Sequence, residues 1–297
     1  MATLLSISCL AHAEIKVPIL WPFAVGSNQV NFLRSLIEQA NTQQSKYSFY
    51  IDYKSGGGGT IAAQHVANAT SLTILSSSAS FFIRPEFYPN ASHKVSDFKP
   101  IYIECMNQPA LIVSNTFKSM AELREQKRLT IGGAVGSITE AMVRELQDSL
   151  PNTEIDFVPF PSGTIAATQE VIARRLDLNV DFPGEVTPFV NNKDLFVVGI
   201  SGVKDGRGFK TFDSQGYKGF NGLTSNYQLM VSAKTDPQVV EELYNIFARA
   251  ARASTTLNGY YDFDMCVPAN LNFKQTNETY DKWTRYWHEK LSRLKIQ

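Results

Sequence analysis

Two copies of the pentapeptide GTIAA decide the fold: one lies in SGGGGTIAA, Ser55–Ala63, and the other in PSGTIAA, Pro161–Ala167. Each copy follows an apolar stretch that predicts a β-strand, and each opens a segment with apolar residues at helical spacing. Glycine supplies the backbone freedom that a tight strand-to-helix turn needs, and Thr60 is a suitable cap for the first of the two helices. The chain therefore repeats one turn, between a strand and a helix, at two distant positions.

The elements around the two copies follow the same order. In the first half, the strand-like IKVPILWPF, a helix and the strand-like YSFYIDYK precede the glycine turn. In the second half, the turn before GTIAA follows three elements in the same order. They are the strand-like RLTIGGA, a helix that begins with the capping box Ser137–Glu140, and the strand-like EIDFVPF. This alternation of strands and helices predicts an α/β fold in which each half contains a mostly parallel sheet with flanking helices.

The composition is that of an ordinary globular protein. Among 297 residues, 43% are hydrophobic and 19% are charged, with 28 Lys and Arg against 28 Asp and Glu. The length favours one large domain or two of medium size. The balanced charge and the lack of a long basic run argue against a nucleic-acid partner. No apolar run reaches the about 18 residues that indicate a transmembrane helix.

The first 13 residues, MATLLSISCLAHA, predict a signal peptide. Residues 2–10 are mostly apolar, and Ala11-His12-Ala13 has the A-x-A form of a cleavage site. No basic residue precedes Lys16, so the predicted signal lacks its basic start. We therefore expect an exported, periplasmic protein whose mature chain begins at Glu14. The alternative is an N-terminal tail that is retained.

Two cysteines, Cys105 and Cys266, remain after the predicted signal. They form either one disulfide, worth about 5 kcal/mol in the chain-entropy account, or two buried thiols, and the sequence leaves both open. No CxxC pair or Cys/His cluster occurs, so a structural zinc site is not expected.

Four predicted strand-to-helix loops carry glycine or hydroxyl residues. They span residues 24–28, 55–60, 133–139 and 161–164, two in each half. The N-terminus of a helix has N–H groups without helical partners and a partial positive charge, so it favours an anion. Ligands of open α/β sheets bind beyond the carboxyl ends of the strands, where such loops meet. The four loops together predict a small-anion site in a cleft between the two halves.

The motifs of common enzymes and cofactor-binding proteins are missing or incomplete in the sequence. The glycine run lacks the Lys of a P-loop, and the dinucleotide pattern at Gly57–Ala62 follows the second strand and lacks the ribose-binding acid. No G-x-S-x-G elbow occurs, and His65, His93 and His288 are too scattered for a triad or a metal site. We expect binding without turnover, with no catalytic residue, metal or cofactor. The alternative is an α/β enzyme that acts on a nucleotide or a small organic acid.

Six stretches, two of which contain the GTIAA copies, occur in a characteristic order along the chain. They are WPFAVGSN, KSGGGGTIAA, SSSASFFIRPEFYP, GGAVGSITEAM, FVPFPSGTIAA and DLNVDFP. Their order and spacing resemble the Bug-type receptors of tripartite tricarboxylate transporters, over essentially the whole chain after residue 13. Members of that family are periplasmic solute-binding proteins for small carboxylates. The resemblance implies a small carboxylate ligand, a partner that is either the membrane subunits of a transporter or a sensor, and a monomeric receptor.

The resemblance also implies a two-lobed fold of the periplasmic-binding-protein, or Venus flytrap, type. Two crossover strands are expected to join the lobes, at Tyr102–Ser114 and Ser225–Ala233. Lobe 1 then comprises residues 14–105 and 228–297, and lobe 2 comprises residues 106–227. Closure of the lobes around a ligand is the expected motion.

Residues in and beside the loops form the predicted ligand site. The set is Phe23, Ser27, Asn28, Gly58, Gly59, Ser78, Gly136, Ser137, Ile138, Thr139, Phe160, Gly163 and Asp181. Backbone N–H groups and the serine and threonine hydroxyls are expected to donate hydrogen bonds to a ligand carboxylate. Asp181 is expected to orient a hydroxyl or ammonium group, and the two phenylalanines to form apolar walls.

Three departures from the family's motifs favour a particular ligand. The first turn is AVGSN instead of a glycine-rich one, Phe182 stands where the family has Asn, and FPSG at residues 160–163 replaces a YKG. Each change makes the pocket narrower or more apolar, which favours a carboxylate with an apolar or aromatic body over a citrate-like one. The departures also leave open a third function, an interaction module that no longer binds a ligand.

Overall fold

The structure is a computed structural model that describes residues 14–23, 28–91, 93–160, 163–202 and 204–294. The predicted signal peptide, residues 1–13, lies outside the described residues. None of the helices in the described ranges is long and apolar enough to cross a membrane.

Strands arranged in two sheets form the centre of the structure, and helices cover them. The strands are β1 (Ile15–Trp21), β2 (Tyr47–Tyr53), β3 (Ile74–Ser78), β4 (Phe98–Pro109), β5 (Leu111–Ser114), β6 (Arg128–Gly133), β7 (Glu154–Pro159), β8 (Leu178–Asp181), β9 (Phe196–Ile200), β10 (Thr224–Ser232) and β11 (Val267–Pro268). The helices are α1 (Asn28–Thr42), α2 (Thr60–Asn68), α3 (Ser80–Phe87), α4 (Met120–Arg124), α5 (Ile138–Ser149), α6 (Thr164–Ile172), α7 (Pro183–Asn191), α8 (Pro237–Ala253), α9 (Thr256–Phe263) and α10 (Phe273–Ser292).

Both sheets are mixed. The first has the strand order β11-β4-β10-β3-β1-β2, and the second has the order β7-β6-β8-β5-β9. Strands connected through helices run parallel, namely β1 with β2 and β3, and β6 with β7 and β8. In contrast, β10 pairs antiparallel with β3 and β4, and β5 pairs antiparallel with β8 and β9. The predicted two-lobed α/β fold is confirmed, with mixed sheets where mostly parallel ones were expected.

Two extended segments connect the lobes. β4 belongs to the first sheet and β5 to the second, with only Ala110 between them. β10 pairs with β4 along its length and carries the chain back into the first sheet. These segments are the crossover strands that the sequence placed at residues 102–114 and 225–233. The exact boundaries of the lobes stay a prediction.

The alternation of side chains along a strand explains the layers. In β1, Val17 and Ile19 pack into the core beneath α1 and α8, whereas Leu20 points to the opposite face and packs with residues of α2 and α3. In β5, Leu111 packs with residues of α6 and α7, and Ile112 packs into the cluster that includes α5. Each sheet is therefore buried on both faces, which explains its nearly continuous apolar strands.

The C-terminal helix α10 fastens the two lobes together at one end. It packs on α3 and β4 in the first lobe. From its last turn, Lys290 Nζ donates to the carbonyl oxygens of Gly219 (2.7 Å) and Asn221 (3.0 Å), which lie in the second lobe. Just beyond the helix, Arg293 forms an ion pair of 3.1 Å with Glu145 on α5. Burial, with the nearby Arg293 charge, lowers the pKa of Lys290 to about 8.

A disulfide joins β4 to the segment that leads into β11. Cys105 and Cys266 are bonded, with Cα atoms 5.8 Å apart and a sequence separation of 161. Pro268 of β11 lies opposite Cys105 in the sheet, so the bond fixes the edge strand of the first sheet. A bond that closes so long a loop removes much of the conformational freedom of the unfolded chain.

Replacing both cysteines, Cys105→Ala with Cys266→Ala, is expected to lower the free energy of unfolding by about 2–5 kcal/mol, since the unfolded chain regains that freedom. Urea denaturation with and without dithiothreitol measures the effect. The reductant is expected to destabilise the wild-type protein and leave the double variant unchanged. Two titratable thiols in the folded, unreduced wild-type protein would contradict this account.

Candidate functional site

A cavity of about 410 Å³ lies between the loops at the carboxyl ends of the two sheets. Its lining from the side of the first sheet comprises Trp21, Phe23, Gln29, Ser78, Ser80 and Tyr227. Its lining from the side of the second sheet comprises Ala134, Ser137, Ile138, Thr139, Gly163, Thr164, Ile165, Ala166, Phe182 and Glu185. This volume is in the range of small-molecule sites, and the position is where α/β sheets bind ligands.

Helix α6 presents its first turn to the cavity. Gly163, the residue before the helix, adopts φ +109° and has no side chain, so α6 begins without a side-chain cap among the described residues. The N–H groups of the first turn have no acceptor within the helix. Gly163 to Ala166 all line the cavity, so the positive end of the α6 dipole lies at the cavity wall.

Helix α5 reaches the same cavity with a start that is already capped. Ser137 Oγ accepts a hydrogen bond from the Thr139 N–H (3.1 Å) and donates to the Ala134 carbonyl (2.6 Å). Thr139 Oγ1 accepts from the Ala134 N–H (2.8 Å). Both hydroxyls hold the loop in shape, and Ile138, the first residue of α5, also lines the cavity.

On the side of the first sheet, the end of β3 and the start of α3 each supply a serine hydroxyl. Ser78 and Ser80 are buried, and their Oγ atoms are 3.1 Å apart. Tyr227 of β10 lies directly opposite Ser78 in the sheet, and both residues line the cavity. The tyrosine ring is almost fully buried, and burial together with the nearby carboxyls of Asp264 and Glu185 raises the pKa of Tyr227 far above its usual value.

The structure brings together part of the predicted site. Phe23, Ser78, Ser137, Ile138, Thr139 and Gly163 line one cavity. Ser27 lies outside the described residues, as does the side chain of Asn28, which begins α1. Phe160 packs against the core of the second sheet and is not in the cavity lining.

Two predicted glycines lie beside a buried arginine instead of the cavity, and a third, Gly59, is also absent from the cavity lining. A Cβ atom at Gly58 would lie 2.7 Å from Arg84 Nη1, and one at Gly136 would lie 2.6 Å from the same atom. Gly59 precedes α2, and its nearest neighbour outside the turn is Pro22. The glycine loops of the two lobes therefore meet on Arg84 of α3.

Asp181 lies beneath α6 and is fully buried. Its carboxylate accepts hydrogen bonds from Thr164 Oγ1 (2.7 Å), Thr168 Oγ1 (2.6 Å) and the Phe182 N–H (2.9 Å). Burial raises the pKa of Asp181 to about 6, and these hydrogen bonds act in the opposite direction. The geometry makes Asp181 the anchor of the α6 start, and its predicted contact with a ligand stays a prediction.

Several lining residues were missed by the sequence analysis. They are Trp21, Gln29, Ser80, Ile165, Ala166, Glu185 and Tyr227. Three other lining residues were outside the predicted set but had been noted: Ala134 and Thr164 belong to the predicted loops, and Phe182 was expected to make the pocket narrower or more apolar. The second GTIAA copy was itself the signal for Ile165 and Ala166, because it forms the first turn of α6. Glu185 and Tyr227 carry no such signal, since only the tertiary fold brings α7 and β10 to the cavity.

The charge of the lining is low and negative. Among the described residues that line the cavity, Glu185 carries a charge, and none is Lys, Arg or His. The neighbouring segments 24–27 (AVGS) and 161–162 (PS) contain no charged residue either. Within the described parts of the chain, no group of three or more His, Cys, Asp or Glu side chains is placed to hold a metal ion.

The sequence profile of the tripartite tricarboxylate transporter family receptor matches residues 33–289, well over half of the chain. The chain belongs to that family. This assignment confirms the resemblance seen in the motifs and supports a solute-binding receptor over an enzyme. A comparison with curated protein sequences returned no match.

Solved structures show the same fold as this receptor. The periplasmic binding protein BugD superposes with a TM-score of 0.83 at 22% identity, covering 95% of this chain and 98% of BugD. MatC from Rhodopseudomonas palustris, with bound malate, superposes with a TM-score of 0.79 at 20% identity. The match covers 94% of this chain and 98% of MatC. Rpa4515 from R. palustris, with adipate, superposes with a TM-score of 0.81 at 18% identity. The match covers 95% of this chain and 97% of Rpa4515.

Arg84 joins the two lobes of the receptor beside the cavity. Its Nε donates to Thr60 Oγ1 at the start of α2 (2.9 Å), and its Nη1 donates to the Val135 carbonyl in the second lobe (3.4 Å). Close by, Tyr88 donates its hydroxyl hydrogen to Glu140 of α5 (2.9 Å). The first GTIAA copy therefore binds Arg84, whereas the second faces the cavity.

Replacing Arg84 by Met is expected to lower the free energy of unfolding of the receptor by about 1–3 kcal/mol, because the Thr60 hydroxyl and the Val135 carbonyl lose a charged donor. Urea denaturation measures the change. Arg285→Met, which removes an exposed arginine from α10, is the matched control and is expected to have little effect. Equal stabilities of the two variants would show that Arg84 does not hold the loops together.

Proposed function

We propose that this receptor is an exported protein that binds a small carboxylate in the interlobe cavity and presents it to the membrane subunits of a transporter or to a sensor. The observation that carries the proposal is the uncapped start of α6 in the cavity wall. Family membership supports it, as do the similar structures of MatC with bound malate and of Rpa4515 with adipate. The predicted signal peptide at residues 1–13 is part of the same proposal.

The ligand carboxylate would lie at the start of α6. One of its oxygens would accept hydrogen bonds from the N–H groups of Thr164 to Ala166, and the other would reach the Ile138 N–H of α5. Both helices direct their positive ends toward this point, so neutral backbone donors can hold the anion without a basic side chain. Hydrogen bonds to a charged acceptor are the stronger kind, and ordered water can fill the remaining gaps.

The body of the ligand would contact apolar walls. The cavity has indole, phenyl and aliphatic surface in its lining. The first lobe contributes Trp21 and Phe23, and the second contributes Ile138, Ile165 and Phe182. With Glu185 as the charged side chain of the described lining, additional carboxylates of a citrate-like ligand would meet a negative wall. A ligand with one carboxylate and an apolar or aromatic body fits better.

Ligand binding would be coupled to the relative position of the lobes. The proposed lobes are residues 14–105 with 228–297, and residues 106–227, and the cavity takes side chains from both. A ligand that contacts both walls stabilises the closed arrangement by its differential affinity for it. A closed, monomeric receptor would then be the form that the membrane partner binds.

Replacing Thr164 by Pro tests the role of the α6 start. Thr164 is the first residue of the helix, where proline fits the backbone and removes one N–H without removing a helical hydrogen bond. Thr164→Val is the matched control, because it loses the hydroxyl bond to Asp181 and keeps the N–H. Losing a charge-assisted hydrogen bond is expected to weaken carboxylate binding by about tenfold or more in Thr164→Pro relative to Thr164→Val.

The ligand for this comparison is the carboxylate that produces the largest thermal shift in a panel of mono-, di- and tricarboxylates and aromatic acids. Saturation at 100 times the dissociation constant stabilises the folded state by about 2.7 kcal/mol, which a melting curve detects readily. Isothermal titration calorimetry then gives the dissociation constant of this ligand for Thr164→Pro and for Thr164→Val. Equal affinities of the proline and valine variants would contradict an anion site at α6.

A further inference from the structure

A second, smaller chamber lies next to the cavity, on the side of the first sheet. Gln29 of α1 and Tyr227 of β10 line both the chamber and the cavity. The chamber has a volume of about 10 Å³, close to the space that a single water molecule needs. Its other lining residues are Phe32, Glu104, Cys105, Tyr260, Tyr261, Asp264 and Cys266, and the two cysteines form the disulfide.

Two carboxyl groups in the chamber wall are deeply buried. Glu104 on β4 is 3% exposed, and Asp264, which follows the last residue of α9, is 6% exposed. Neither Glu104 Oε1 nor Asp264 Oδ1 has a hydrogen-bond partner among the described residues. Buried polar atoms are nearly always paired with protein, water or a ligand, and a buried carboxylate requires a donor or a cation. The two atoms therefore point to a partner bound between them.

No basic side chain of the described residues lines the chamber. Burial raises the pKa of Glu104 to about 8. Burial also raises the pKa of Asp264 to about 7, and the charge of Arg207 opposes this only in part. The Nη1 atom of Arg207 donates to the Phe263 carbonyl (3.0 Å). Two carboxyls around one small chamber without a basic neighbour in its wall favour a bound cation.

Gln29 supplies a further oxygen to the same place. Its Nε2 atom is buried and has no hydrogen-bond partner among the described residues. The nitrogen and oxygen of a side-chain amide exchange places when the group rotates by half a turn, so Oε1 can occupy this position equally well. The chamber then presents an amide oxygen beside two carboxylates, which are hard ligands of the kind that Ca²⁺ binds.

Charge and size distinguish between the possible cations. A divalent ion balances two carboxylates, whereas a monovalent ion leaves a negative charge buried, which is costly. The small volume admits an ion that has lost its water shell. Mg²⁺ loses its waters reluctantly, whereas Ca²⁺ accepts protein oxygens in irregular geometry. Zn²⁺ favours nitrogen and sulfur ligands, and the two cysteine sulfurs are already bonded to each other.

We propose that the chamber binds one Ca²⁺ ion through the carboxylates of Glu104 and Asp264 and the amide oxygen of Gln29. Its two acids set it apart from metal sites with three or more His, Cys, Asp or Glu ligands, of which the described residues contain none. The ion would join α1, β4 and the end of α9, behind the cavity wall that includes Gln29 and Tyr227. This inference does not depend on the proposed function.

The test measures calcium binding to the purified receptor after dialysis against EDTA and then against metal-free buffer. Isothermal titration calorimetry with CaCl₂ is expected to show one ion per chain, and CaCl₂ is expected to raise the melting temperature. NaCl and MgCl₂ at the same ionic strength are expected to have at least tenfold weaker effects. No binding of calcium, or an equal or stronger response to either other salt, would overturn the proposal.

Glu104→Gln examines the site directly, because it removes a charged ligand and keeps the size of the side chain. It is expected to weaken calcium binding at least tenfold. In EDTA its melting temperature is expected to equal or exceed that of the wild-type protein, since the variant no longer buries an acid there. Glu241→Gln, which changes an exposed acid of α8, is the control and should bind calcium normally. Unchanged affinity in Glu104→Gln would contradict the site.

Asp264→Asn provides a second variant, in case Glu104→Gln does not fold. It is also expected to weaken calcium binding at least tenfold. Its control is Asp262→Asn, which changes an exposed acid of α9 two residues away. Melting curves in EDTA establish that each variant is folded before the affinities are compared. Equal calcium affinities of Asp264→Asn and Asp262→Asn would exclude this carboxyl from the site and overturn the proposal.

The outcomes also separate this inference from the proposed function. Calcium binding by a receptor that binds no carboxylate would support the ion site and contradict the proposed function. Carboxylate binding by a receptor that binds no calcium would support the proposed function and overturn the ion site. Thermal shifts with CaCl₂ alone, with the carboxylate panel alone and with both together distinguish these cases.

Discussion

The start of α6 depends on one buried carboxylate. Asp181 accepts hydrogen bonds from the hydroxyls of Thr164 and Thr168 and from the N–H of Phe182, and it has no contact with water. It thereby fixes the first turn of α6 against the end of β8, with the N–H groups of that turn in the cavity wall. The hydrogen bonds of Asp181 therefore position the start of α6 at the cavity and, through Phe182, the start of the neighbouring helix α7. A buried, fully bonded carboxylate suits the task, because its geometry is strongly constrained.

The sequence predicted the framework well, since the framework follows from local patterns. Strand-like and helical periodicity located the elements around both GTIAA copies, and the rule that ligands bind at the carboxyl ends of strands located the cavity. The order of weak motifs identified the family. Mixed sheets were missed, because the direction of β4, β5 and β10 depends on how the chain passes between the lobes.

The details of the site were less predictable, because they depend on tertiary partners. The two GTIAA copies look equivalent in sequence, but Arg84 occupies the start of the first and a cavity adjoins the second. The hydroxyls of Ser137 and Thr139 were expected to bind ligand, and they are used to shape their own loop. Tyr227 and Glu185 reach the cavity only through the crossover of β10 and the packing of α7.

The proposed ligand site relies on charge from the backbone. The start of α6, which has no side-chain cap among the described residues, supplies positive potential from its N–H groups. The arrangement explains how a receptor of this family can bind without a basic side chain in the described cavity wall.

The most direct test of the account is a ¹⁵N–¹H NMR titration of the labelled receptor with its tightest-binding carboxylate. The account predicts that the amide signals of Thr164, Ile165 and Ala166 shift most, together with Ile138, and that all four saturate at the same dissociation constant. Large shifts at Gly57 to Thr60 with no change in the first turn of α6 would contradict it.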